Sequence, residues 1–127
     1  MPEFLKYPTL QDAILMAEQI GVSKIRDLGL LDSALHRPQS ELFGEEAYVG
    51  FETKAAALLE SVIRNHALYD GNKRLGFALL YLFSRMNRRV LVASVEESTA
   101  FIVSVAGGEK SLEQIAKWIS AHVALDR

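Results

Sequence analysis

Cysteine is absent from the 127 residues. That excludes disulfides, thiolate metal sites and a cysteine nucleophile, and it suits a reducing compartment. A surplus of charge of one sign is also lacking. The formal net charge is only −2, whereas a protein that grips a phosphate backbone usually carries a basic excess. Direct nucleic-acid binding is therefore not expected. Long apolar runs are missing too. The longest, Leu75 to Phe83, is too short to span a bilayer. Met1-Pro2-Glu3-Phe4 shows no basic region leading into an apolar stretch, so no signal peptide is expected. The expectation is a cytoplasmic protein without membrane association. No repeat, low-complexity tract or linker interrupts the chain, and residues 1–127 read as one domain.

What is present is a globular composition, half hydrophobic and 24% charged, patterned almost throughout with a helical period. Thr9 with Asp12 marks a helix start. Leu10, Ala13, Ile14, Ala17 and Ile20 line one face, and Gly21 ends the segment. A short helix is expected from Leu31 to Leu35, stopped by Pro38. Phe43 to Phe51 has two glycines and no period, and reads as an ordered loop carrying aromatics. A strong helix is predicted from Thr53 to Leu68, with Ala55, Leu58, Leu59, Val62, Ile63 and His66 on one stripe. Asp70-Gly71 marks a turn. A second strong helix then runs to Met86, with Leu75, Leu79, Leu82, Phe83 and Met86 inward. Val90-Leu91-Val92 is β-like but too short and isolated to imply a sheet. A helix from Val95 to Ala106, with Ile102, Val103 and Ala106 inward, ends at Gly107-Gly108. Ser111 and Gln114 form a capping box for a last helix that turns Leu112, Ile115, Ala116, Ile119 and Val123 inward. The fold class is all-α, a compact helical bundle.

The segment between the two strongest helices carries the chemistry. Lys73 and Arg74 fall in the first turn of a helix, where free N–H groups and the positive dipole end favour anions. Two cations placed there call for a compensating ligand, and a polyphosphate would supply it. The backbone from Gly71 to Lys73 would cradle the phosphates, and Lys73 and Arg74 would neutralise them. Glycine at 71 would let the backbone come close. Asp70 would hold a magnesium ion bridging phosphate oxygens. His66, placed on the apolar stripe with its ring turned inward to this loop, would take a proton from an attacking hydroxyl. A plainer reading stands beside this one. Asp70 is then only an N-cap of an ordinary interhelical turn, and His66 a hydrogen-bonded core histidine. His36 and His122 are expected to be structural or exposed.

His66-Ala67-Leu68-Tyr69-Asp70-Gly71-Asn72-Lys73-Arg74 resembles the signature of the Fic/Doc superfamily, and its lysine form is similar to the Doc (death-on-curing) branch. Gly29 to Leu35, Arg37-Pro38 and Lys54 to Leu59 look like that branch too. The resemblance implies a compact helical fold and a set of roles. His66 would be the catalytic base, Asp70 the magnesium ligand, and Gly71, Asn72, Lys73 and Arg74 the anion-binding nest for ATP. Arg64, two residues before the histidine, resembles a basic residue of Doc-type proteins. Leu68 stands where an aromatic is usual, and Phe77 where many Fic proteins have a second arginine.

In that branch, lysine in the nest goes with a reversed nucleotide. The γ-phosphate then faces the target hydroxyl, so the resemblance implies phosphorylation. Its target would be a threonine of elongation factor Tu, which would block translation, and a Phd-like antitoxin would be the partner. Transfer of AMP by a Fic-type adenylyltransferase is the alternative from the same superfamily. A non-catalytic helical binding module is the alternative from outside enzymology. The superfamily's inhibitory helix pattern, a Ser or Thr with Glu four residues on, has no match here. Ser104 to Glu109 comes nearest and is off by one. Control by a separate antitoxin is therefore expected, over an apolar groove edged by Phe43 to Phe51.

Overall fold

Phe51–Arg64 forms the central helix, α3, because its broad apolar face is covered by helices on several sides. Phe51, Lys54, Ala55, Ala56, Ala57, Leu58, Leu59, Ser61, Val62 and Ile63 are all buried. A computed structural model describes residues 4–126. Residues 1–3, on which most of the leader argument rests, and residue 127 lie outside the described residues. Around α3 pack α1 (Leu10–Gln19), α2 (Leu28–His36), α4 (Asn72–Met86), α5 (Val95–Ala106) and α6 (Leu112–His122). The most extensive contacts are those of α3 with α4 and α6. The α3–α4 approach is close because α4 presents Gly76 to α3. A Cβ there would lie 2.6 Å from Ile63 Cγ1.

The caps read from sequence form as expected. Thr9 and Asp12 make a reciprocal capping box, and so do Ser111 and Gln114. Ser94 and Glu97 make a third that the sequence reading passed over. α2 starts three residues earlier than expected because Asp27 caps it, accepting from the Leu30 N–H at 3.0 Å. Pro38 sits in a 3₁₀ turn that follows α2 directly.

Other boundaries differ from the sequence reading. The stretch before α3 is not only loop, since β1 (Glu41–Leu42) and β2 (Glu45–Glu46) pair as an antiparallel hairpin. Phe43 and Gly44 turn it with positive φ at both positions, the geometry of a primed turn. Val90 is not isolated. β3 (Arg89–Leu91) pairs antiparallel with β4 (Val123–Leu125), so Val123 leaves α6 and becomes a strand residue. Val103 is 56% exposed rather than inward, and Phe101 takes its place in the core. Leu82 and Met86 are only half-buried, whereas Leu80 is fully buried. No described helix is long and apolar enough to cross a membrane.

Candidate active site

α3 ends at Arg64, four residues before the sequence pattern suggests. His66 follows with φ +53°, a left-handed backbone costing roughly 1–2 kcal/mol for a residue with a Cβ. The reversal sends Ala67 and Leu68 into the core, each 2% exposed, and leaves His66 exposed at the surface. The expected placement of His66 on the buried stripe is thereby corrected, and with it the alternative of a core histidine. Leu68 fills an apolar site, as a leucine can in place of an aromatic.

A second segment of chain holds this loop in its strained course. Ile25 and Leu68 form an antiparallel bridge. The N–H groups of Arg26 and Asp27 both donate to the Ala67 carbonyl, at 2.8 and 3.0 Å, and Tyr69 N–H donates to Lys24 at 3.2 Å. The Arg26 guanidinium forks onto the His66 carbonyl, with Nε at 2.9 Å and Nη2 at 2.6 Å. From the other side, the Asn72 side chain accepts from Leu68 N–H at 3.0 Å and donates to the Leu68 carbonyl at 3.1 Å. The amide of Asn72 thus serves the loop, and only its backbone is left for a ligand.

Gly71 precedes α4 with φ +91° and caps it without a side-chain bond. Asp70 is therefore not the N-cap, and its Oδ1 accepts from the adjoining Gly71 N–H at 2.9 Å. The reason for glycine here is internal. A Cβ at 71 would collide with Val22 Cγ1 and lie 2.6 Å from Val22 Cβ. The first bond of the helix runs from Leu75 N–H to the Gly71 carbonyl. Among the described residues, the N–H groups of Asn72, Lys73 and Arg74 find no partner in the chain.

His66, Tyr69, Asp70, Lys73 and Arg74 line one cleft of about 310 Å³, with Gly71 and Asn72 in its wall and Ile63 and Ala106 as apolar neighbours. Lys73 and Arg74 are exposed and, among the described residues, have no salt-bridge partner. His66, Asp70 and the open first turn of α4 with Lys73 and Arg74 therefore share one small space. Arg64 does not join them. Its guanidinium packs over Gly108 at the α5–α6 turn, where a Cβ would meet Nη1 at 2.7 Å. No cluster of three His, Asp or Glu residues capable of holding a metal is found among the described residues. Asp70 alone fits the way magnesium is usually held beside a nucleotide, by one or two carboxylates together with phosphate oxygens and water.

A larger groove of about 640 Å³ lies across Lys73 and Arg74, between α4 and α5. Ile20, Phe77, Ile102 and Val103 make it mainly apolar, and neither His66 nor Asp70 reaches it. Of the two, the smaller cleft is the one that brings His66 and Asp70 together with Lys73 and Arg74. The hairpin segment Phe43 to Phe51, expected from sequence to edge an antitoxin groove, lines neither of these two clefts. Arg26 is the residue that sequence reasoning missed, and no motif around it marks it.

Residues 6–84 match the Fic/DOC family. The chain is also 42% identical over 106 residues to "Toxin Doc" of Mycolicibacterium smegmatis, covering 82% of each chain. The family match spans the whole motif, the central helix and the strap that holds the loop, and the chain belongs to the Fic/DOC family.

Proposed function

We propose that the protein is a Doc-type toxin that transfers the γ-phosphate of ATP to a protein hydroxyl. The observation that carries this reading is the exposed, unpaired Lys73 in the open first turn of α4, sharing a cleft with His66 and Asp70. A cation in that position crowds one nucleotide orientation and attracts the more highly charged phosphate end. In the reaction the target oxygen attacks the γ-phosphorus and the bond to the ADP oxygen breaks. The hydroxyl proton passes to the His66 imidazole, a general base suited to neutral pH. The N–H groups of Asn72, Lys73 and Arg74, with the two side-chain cations, hold the phosphates. Magnesium held by Asp70 would supply charge neutralisation at the phosphate oxygens.

The threonine of elongation factor Tu is the proposed target, on family resemblance, with arrest of translation as its consequence. A Phd-like antitoxin is the proposed regulator. The apolar groove along α4 and α5 suits it better than the hairpin, because an amphipathic helix laid there would run past Lys73 and Arg74. The test uses a translation extract with magnesium and ATP carrying a label on either the γ- or the α-phosphate. Labelling of a single band by γ-labelled ATP alone supports kinase chemistry. Labelling by α-labelled ATP assigns AMP transfer instead, and no labelling by either leaves a binding module.

A further inference from the structure

We infer that Arg26 is a positioning residue for His66, an assignment that rests on the reading of His66 as the base. Among the described residues, His66 makes no hydrogen bond other than those its carbonyl accepts from Arg26. Neither ring nitrogen has a partner, so nothing orients the imidazole from its own side. The neighbouring backbone bonds of the strap fall on Ala67 and Tyr69 and leave the His66 carbonyl to the guanidinium alone.

The geometry gives that contact its consequence. His66 stands in a left-handed conformation at φ +53°, and its carbonyl points to Arg26 only while it stays there. A relaxed backbone would swing both carbonyl and imidazole away from their present directions. Two donors of one guanidinium, at 2.9 and 2.6 Å, converge on the same carbonyl oxygen and resist that rotation, and only arginine supplies such a planar fork. Arg26 is exposed and has no carboxylate partner among the described residues, so the His66 carbonyl is the one hydrogen-bond partner of its side chain there. Arg26 touches no reacting atom and lies outside the lining of the cleft. It acts through His66.

The test compares wild type with Arg26→Ala and Arg26→Lys by steady-state kinetics and by NMR of the His66 imidazole. For Arg26→Ala, kcat is expected to fall about 10- to 100-fold, the worth of a charge-assisted hydrogen bond. KM for ATP should stay within about twofold, because the phosphate site is untouched. The His66 ring signal should split or broaden while the remaining spectrum stays that of the folded protein. Arg26→Lys, which keeps the charge and one donor, should recover part of kcat. An unchanged kcat, a loss confined to KM, a single unmoved His66 signal, or no recovery with lysine would each overturn the proposal. If the wild type labels nothing but the His66 signal responds to Arg26→Ala, the positioning stands and the catalytic reading falls.

Discussion

At the scale of single residues, His66 and Asp70 combine exposure with a shared cleft, which is what a base and a metal ligand need. His66→Ala should leave the fold intact, because the side chain is exposed and its ring makes no hydrogen bond among the described residues. Transfer activity should fall by on the order of 10²- to 10⁴-fold, the usual cost of losing a general base. A folded variant with near-normal transfer would remove His66 from the mechanism. Asp70→Asn keeps an oxygen able to accept from Gly71 N–H but loses the charge. Turnover should drop and be partly restored by raising magnesium, with thermal stability nearly unchanged. A loss of activity that magnesium does not restore, together with a lower melting temperature, would assign Asp70 to the loop and not to the metal.

At the scale of elements, the junction between α3 and α4 depends on Gly71 and Asn72. Gly71→Ala should destabilise the protein by about 1–2 kcal/mol through the left-handed backbone and by about 1–3 kcal/mol more through overpacking against Val22. Urea unfolding measures the sum. Repeating it in a Val22→Gly background separates the parts, because removing the Val22 side chain, Cβ included, relieves the collision and leaves the backbone cost. Equal losses in both backgrounds would show that Val22 yields without strain. The same junction explains an ambiguity of the sequence. The apolar stripe of α3 continues through His66 in the residue pattern, so periodicity alone extends the helix past its real end. Leu68 then has to pair with Ile25, and the helix stops to allow it.

At the scale of the whole molecule, α5 and α6 are tied by a contact that responds to acid. Glu97 Oε1 accepts from Ser94 N–H at 3.0 Å and Oε2 faces His122 Nε2 at 3.2 Å. His122 in turn stacks on Trp118, which stacks on Phe101 of α5. The Ser94 backbone bond first, and the His122 bond second, hold the Glu97 carboxyl below its ordinary 4.5. A depressed carboxylate contributes stability above its unfolded value and loses it as pH falls through the lowered folded value. The contribution should be full above pH 4.5 and fade below it. It should also be small and weakened by salt, because the group is exposed. Glu97→Gln should therefore lower the neutral plateau slightly, towards the level both proteins share in acid, and so flatten the acid side of the stability–pH curve, followed by urea midpoint. An acid limb identical to wild type would show that other carboxylates govern it.

The sequence by itself determined the features whose cause is local. The helical period, the Thr9 and Ser111 capping boxes and the stop near Pro38 depend on neighbours three or four residues away, and all are legible without a fold. The same holds for the order of residues from His66 to Arg74, which carries the family resemblance. Tertiary structure decided whatever depends on distant partners. Arg26 reaches the His66 carbonyl across 40 residues of chain. Arg89 to Leu91 becomes a strand only because residues 123–125 lie beside it. Arg64 sits two positions from His66 yet turns towards Gly108, because the helix ends between them and the backbone reverses. Gly71 reads as an approach for phosphate in the sequence, and the fold gives it a second cause in Val22. Periodicity assigns a face to each residue along one element, but which element covers that face depends on how the chain returns.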